Sequence, residues 1–187
     1  MRQWFPRTRA PRQATRSPAF YAKELSRTGD RSGALDLQFA DLMEHLSPKS
    51  YESFRKKCSP EEWARYEPNF LAALKDQRTE TRISIHMVRG EHVEAVRLLA
   101  DVRFDGWRSD SVLKAATRLE AQFPREVLDF YRSGLGRTDR TAPRGEYAQW
   151  ARIVAKMRHV WVDVMHEPDA WAAFAQTLKA QSQRRPG

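Results

Sequence analysis

Apolar side chains recur every three or four residues along most of this 187-residue chain, and this spacing constrains the fold more than any other feature. The longest run starts near Glu146 and keeps the spacing for five turns, before Pro168 opens the next segment. This spacing places apolar side chains on one face of an α-helix, whereas a half-buried strand requires strict alternation. The sequence therefore predicts an all-α fold. Even ISIHMV at 83–88, the stretch nearest to alternation, has flanks typical of a helix.

Capping residues, prolines and glycines mark where the predicted helices begin and end. Ser59 can cap a helix, Pro60 suits its first position, and Glu62 stands three residues after the serine. Pro68 lies inside the same segment and is expected to kink or split it. Gly90 predicts a chain reversal, across which the residues expected to face one another are Ile83, Met87, Val93, Val96 and Leu99.

The predicted segments form short antiparallel pairs: 79–89 with 91–102, 109–122 with 124–136, and 146–166 with 168–182. Each pair leaves an apolar face that a neighbouring pair must bury. We therefore predict an irregular helical-repeat bundle of the tetratricopeptide or HEAT kind, or a short α-solenoid, over residues 34–183. The pairs resemble one another little in sequence, so a consensus repeat array is not expected.

The net charge of +9 is concentrated near the two ends of the sequence. Residues 1–19 hold five arginines and no acid, and residues 170–187 hold three basic residues and no acid. The rest is nearly neutral, so the charge count does not indicate a basic groove across the folded body. We predict a flexible basic arm with a polar transition over 1–33, and a basic tail at 184–187. A transit peptide, which is also rich in arginine and poor in acids, is the alternative for the arm.

Two aromatic residues stand among arginines in the arm, within RQWFPRTRAPR. Single-strand nucleic-acid binders and membrane-surface arms combine the same residue types. The arm could equally anchor on a protein partner or serve only as a solubilising tail. The residues predicted to contact nucleic acid or a partner are Arg2, Trp4, Phe5, Arg7, Arg9, Arg12 and Arg16.

Cysteine and hydropathy patterns exclude several classes of protein. The single cysteine, Cys58, rules out an internal disulfide and a multi-cysteine zinc site. Its basic neighbours could lower the pKa of a thiol, but an incidental cysteine at a helix boundary is the favoured interpretation. No apolar run is long enough for a membrane span, and no hydrophobic secretion signal is evident. A cytoplasmic protein is therefore expected.

The histidines do not form a convincing metal or catalytic motif. His86 and His92 are six residues apart, whereas paired ligands on one helix stand three or four apart. We expect both to lie at helix ends. His159 and His166 are two turns apart, and Asp163 is expected to form a surface hydrogen bond with His159.

Two loops and three tryptophans also favour structural roles. GLGRTDRT at 134–141 lacks the third glycine and the lysine of a nucleotide-binding loop, and DVRFDGW at 101–107 lacks the alternating acids of a calcium loop. Trp150, Trp161 and Trp171 could stack on bases, but they fall on the apolar stripes and are predicted to be core residues. No catalytic, cofactor or metal site is predicted.

Residues 123–186 carry a helix opened by proline, a long helix, and a last helix that ends in a basic-proline tail. The residues concerned are Val127, Leu128, Tyr131, Tyr147, Ala151, Trp171, Phe174, Arg184, Arg185 and Pro186. This pattern resembles the C-terminal helical region that follows the zinc finger in bacterial SWIM zinc-finger proteins. The chain lacks the cysteines of that finger, so zinc-dependent recognition does not carry over. The resemblance implies a tetratricopeptide-like region used for protein contacts.

We therefore expect a non-enzymatic protein-interaction scaffold that needs no cofactor and binds a protein partner. The alternative is an accessory protein of DNA or RNA that contacts phosphates through its arginine-rich arm.

Overall fold

The computed structural model describes residues 18–104, 110–135 and 144–183, and within these ranges the chain is all-α, with no strand. The helices are α1 (Pro18–Arg27), α2 (Arg31–Glu44), α3 (Pro48–Arg55), α4 (Pro60–Lys75), α5 (Thr79–Arg89), α6 (His92–Leu99), α7 (Asp110–Leu119), α8 (Pro124–Ser133), α9 (Arg144–His159) and α10 (Pro168–Gln183). A π-helical segment, Val160–Val164, continues α9. No helix in the described part of the chain is long and apolar enough to cross a membrane.

The predicted start of α4 is confirmed. The Ser59 hydroxyl accepts a hydrogen bond from the backbone N–H of Glu62 at 3.2 Å, and the Glu62 carboxylate accepts one from the Ser59 N–H at 2.8 Å. Pro60 occupies the first turn. Pro68 was predicted to kink or split the segment, and it does not split it, because α4 continues through that residue. Pro68 is exposed, and buried aromatic residues on both sides of it hold the two halves of α4 against one core.

The predicted reversal at Gly90 is also confirmed. Gly90 ends α5 with φ 75° and ψ 13°, a left-handed conformation that favours glycine, and α6 begins at His92. Ile83, Met87, Val96 and Leu99 belong to one core, as expected. Val93 was expected to join them but is 51% exposed. It lies about 120° around α6 from Leu99, on the opposite side from the buried residues of that helix.

Two hydrophobic clusters form the interior, and α5 separates them. The N-terminal cluster contains Trp63 and Phe70 and draws on α2, α3 and α4. The C-terminal cluster draws on α6 to α9 and includes Ile83 and Met87 from α5, whereas Ile85 belongs to the N-terminal cluster. Because α5 is buried on two faces, its apolar residues alternate in sequence. This explains why 83–88 comes closest to a strand pattern.

The polar transition predicted for 20–33 is helical instead. It contains most of α1 and the first turn of α2, which Asp30 caps by accepting a hydrogen bond from the Gly33 N–H at 2.9 Å. Ala22 of α1 is buried, so this segment contributes to the folded body even though its sequence is polar. The predicted flexible arm at 1–17 and the tail at 184–187 lie outside the described residues.

The three predicted helix pairs are present: α5 with α6, α7 with α8, and α9 through its π-helical extension with α10. Their turns lie along one edge of the molecule. At the first turn, His92 Nδ1 is 2.7 Å from Gln122 Oε1 at the second turn. Next to the second turn, Arg125 donates a hydrogen bond of 3.2 Å to Glu167 at the third. One polar contact therefore links each of these turns to the next along the chain.

Candidate functional site

The arm residues predicted to contact a partner are not described by the structure. Arg2, Trp4, Phe5, Arg7, Arg9, Arg12 and Arg16 all lie outside the described residues. The loops DVRFDGW and GLGRTDRT fall partly outside them as well. Candidate sites on the described helices therefore have to be built from other side chains.

The polar residues around Gly90 hold the two cores together. Arg89, whose side chain is 11% exposed, donates hydrogen bonds of 2.7 Å to Glu91 and 2.8 Å to Glu67 of α4. The bond from Arg89 lowers the pKa of Glu67. His86 Nδ1 lies 2.7 Å from the other oxygen of Glu91. Within the described ranges, no group of three or more His, Cys, Asp and Glu side chains could hold a metal ion.

Cys58 has the environment of a structural thiol. It is buried in the N-terminal cluster. Burial, reinforced by the negative charge of Glu62, raises the pKa of this thiol despite the neighbouring basic residues. The fraction of reactive thiolate is therefore lowered, which agrees with the incidental role expected from the sequence.

The tryptophans predicted to be core residues lie in or against the C-terminal cluster. Trp161 is buried, and Trp150 and Trp171 are half-buried against the same cluster. The ring of Trp161 lies 6.0 Å from that of Trp171 and 4.9 Å from that of Phe174, so α10 is attached through aromatic contacts. These positions support core packing over base stacking.

The predicted bond between His159 and Asp163 is present, with 2.8 Å between Nδ1 and Oδ2. It belongs to a larger polar group that the sequence did not reveal. Glu120 is 6% exposed and accepts a hydrogen bond of 2.6 Å from the Tyr131 hydroxyl. Lys156 Nζ and His159 Nε2 lie 3.6 and 3.7 Å from the two oxygens of Glu120. Burial and the bond to Glu120 raise the pKa of Tyr131.

This polar group fixes the orientation of α9 relative to α7. Lys156 donates a hydrogen bond of 2.8 Å to the Thr117 hydroxyl, and His159 lies beside Glu120. Residue numbers rise together along both helices, so α7 and α9 run parallel. Their residues are far apart in sequence, and no local spacing could have predicted the contact.

An open, shallow depression of about 510 Å³ lies along α7 beside Lys156 of α9, and we call it the α7–α9 groove. Its lining residues are Asp110, Leu113, Lys114, Thr117, Arg118 and Lys156. Lys114 pairs with Asp110 at 2.5 Å. In the described part of the chain, Arg118 forms no hydrogen bond or ion pair. Arg152 is exposed one turn before Lys156 on α9.

Three cations, Lys114, Arg118 and Lys156, line the α7–α9 groove. Lys114 is paired with Asp110 and Lys156 lies beside Glu120, so Arg118 is the cation of this lining that no described acid pairs.

A second cavity, of about 430 Å³, lies between α6 and α8, and we call it the α6–α8 groove. Its lining residues are Val93, Val96, Arg97, Leu99, Ala100, Val102, Phe123, Glu126, Asp129, Phe130 and Ser133. Most of these are apolar, and the acids stand on α8. The two grooves therefore differ in chemistry as well as in position.

Comparison with known proteins gives no family for this chain: no family model, no curated protein and no solved structure matches it.

Proposed function

We propose that this chain is a non-enzymatic protein-interaction scaffold, a short helical repeat that binds an acidic segment of a partner protein in the α7–α9 groove. The observation that carries the proposal is that polar contacts link the turns of three successive helix pairs. His92 joins the first turn to Gln122 at the second, and Arg125 joins the second to Glu167 at the third.

The packing of the helices supports the repeat. In an α-solenoid, the first helices of successive pairs lie side by side, as do the second helices. Here α5 contacts α7 and α6 contacts α8, as in a solenoid, whereas the third pair is joined to the second mainly through α8 and α9. A tetratricopeptide-like character, and the likeness of 123–186 to the helical region of SWIM zinc-finger proteins, belong to this proposal.

The spacing of the cations in the α7–α9 groove fits an extended acidic peptide. Lys114 and Arg118 line the groove four residues apart on α7. On α9, Lys156 lines it and Arg152 stands four residues before Lys156. Four residues of helix advance about 6 Å, and alternate side chains of an extended strand lie roughly 6.6 Å apart. Carboxylates at every second position of a bound peptide can therefore meet both cations of one wall.

The lining of this groove favours a peptide over a single-stranded nucleic acid. Its residues include Leu113 and the aliphatic stems of the basic side chains, but no aromatic ring on which a base could stack. The alternative of a DNA or RNA accessory protein depends instead on the five arginines of the arm, and no contact among the described residues favours it.

Binding of a fluorescent peptide with glutamate at every second position tests the proposal. The full chain is titrated and anisotropy is measured at low and high salt, with a glutamine version of the peptide as the neutral control. Exposed ion pairs contribute about 0.2–1 kcal/mol each. Lys114→Ala/Arg118→Ala is therefore expected to weaken binding by about 2- to 30-fold, and salt should weaken it further.

Lys49→Ala/Lys75→Ala is the matched control, since it removes the same charge from exposed positions on α3 and α4. It should leave the affinity nearly unchanged. Equal loss in both double variants, or equal binding of the glutamine peptide, would contradict the proposal. Tighter binding of a short oligothymidylate that persists in Lys114→Ala/Arg118→Ala would favour the nucleic-acid alternative.

A further inference from the structure

The α6–α8 groove presents apolar surface that the described helices leave uncovered. Val96, Leu99 and Phe130 form its buried part, and Phe123 is half-buried at its side. Val93 projects at the rim and is 51% exposed. The exposed Val93 continues the apolar lining beside the buried Phe130 and the half-buried Phe123, and such a continuous apolar surface is one on which another apolar group can dock.

The charge at this groove is acidic, although the chain as a whole carries +9. Asp129 pairs with Arg132 at 3.3 Å, and Arg97 on the opposite wall is already paired with Glu94 at 2.9 Å. Within the described ranges, Glu126 forms no hydrogen bond or ion pair. An apolar groove with a free carboxylate at its edge is complementary to aromatic side chains flanked by cations.

We propose that residues 1–17 of this same chain dock in the α6–α8 groove, with Trp4 and Phe5 against its apolar surface and a neighbouring arginine beside Glu126. This segment holds adjacent aromatic residues between Arg2 and Arg7 and contains no acid. It therefore matches the groove in both hydrophobicity and charge. The site is separate from the α7–α9 groove and does not depend on the function proposed there.

When extended, the arm is about as long as a compact chain of this size is wide. The 13 residues from Phe5 to Pro18 span up to about 43 Å when extended. A compact chain of 187 residues has a radius of gyration of about 16 Å. Intramolecular docking also gives the arm a high effective concentration, which a second copy of the chain would not supply at dilute concentration.

A spin label on the arm tests the docking directly. In the full chain, Gln3→Cys carries the label and Cys58→Ala removes the natural thiol, with circular dichroism checking the helix content. We expect strong broadening of the Val93 and Val96 methyl signals, independent of protein concentration. Adding Trp4→Ala/Phe5→Ala should reverse it, whereas adding Arg12→Ala/Arg16→Ala, away from the aromatic pair, should reverse it much less.

Three outcomes would overturn the proposal. The first is absence of broadening at Val93 and Val96. The second is broadening that is centred on another surface. The third is broadening that disappears on dilution, because this would show that the arm of a second copy occupies the groove.

Limited trypsin digestion gives a second measurement that leaves Cys58 in place. In the unaltered full chain, cleavage after Arg7 should be several-fold slower than in Val93→Gln, which makes the exposed rim polar, adds no charge and leaves the arm sequence intact. The exposed substitution Ala100→Gln at the opposite end of α6 lines the same groove and should also speed cleavage. Lys75→Gln, on α4, should not. Equal cleavage rates in all four proteins would contradict docking.

Discussion

Replacing Tyr131 by phenylalanine is expected to lower the free energy of unfolding by about 1.5–3 kcal/mol. The Tyr131 hydroxyl donates a hydrogen bond of 2.6 Å to Glu120, and both residues are buried. A hydrogen bond to a charged group contributes about this amount, and its loss leaves one carboxylate oxygen of Glu120 without its donor. Lys156 lies 3.6 Å from that same oxygen, so part of the interaction remains. For a chain of this size the melting temperature should fall by roughly 3–12 °C.

Tyr66→Phe is the matched control. Its hydroxyl donates a bond of 2.7 Å to Asp36, but Asp36 is half exposed and also receives a bond from Arg65. Water and Arg65 can therefore replace the lost donor, and the expected loss is about 0.5–1.5 kcal/mol. Urea unfolding followed by tryptophan fluorescence measures both variants, with the slope checked for two-state behaviour. A Tyr131→Phe loss below about 0.5 kcal/mol, or one no larger than that of Tyr66→Phe, would refute the importance assigned to the buried Glu120.

Three further predictions follow from caps and charges. Ser59→Ala removes the side-chain cap of α4 and should cost about 1 kcal/mol in urea unfolding, whereas Ser84→Ala on α5, whose hydroxyl bonds only within its helix, should cost less. Gly90→Ala places a β-carbon at φ 75° with open space around it, so backbone strain alone should lower the free energy of unfolding by about 1–2 kcal/mol. An unchanged midpoint of urea unfolding would contradict the left-handed turn. A hydrogen bond from Arg31 lowers the pKa of Glu62 from 4.5 to about 2. This interaction stabilises the fold above pH 4.5, and its contribution is lost as the pH falls towards 2. In Glu62→Gln the free energy of unfolding should therefore fall less steeply on the acid side. An unchanged dependence on pH would contradict the ion pair.

The spacing of apolar residues predicted the helix pairs because each helix buries one face and exposes another. The Gly90 turn and the α4 cap were predictable for a similar reason, since each depends on a few adjacent residues. All of α1 and the first turn of α2 were not predicted, because their sequence is polar. Helix α3 was not predicted either, although its sequence carries a start signal: Ser47 and Ser50 form a capping box around Pro48.

The sites could not be predicted in the same way, since they depend on contacts between distant segments. Lys156 meets Thr117 and Glu120 only after three helices have packed together. Val93 follows the apolar pattern but lies outside the core, because the face of α6 that is buried is set by its neighbours. A sequence pattern shows which residues can be buried, and tertiary packing decides which of them are.

Mapping the alternating-glutamate peptide onto the full chain by NMR tests the central claim most directly. If the chain is a scaffold that holds acidic segments between stacked helix pairs, chemical shifts should change at Leu113, Thr117 and Lys156, with little change along α6 and α3. The glutamine peptide should leave the same signals in place. Shift changes centred on the α6–α8 groove, or none at α7 and α9 at saturating peptide, would contradict the account.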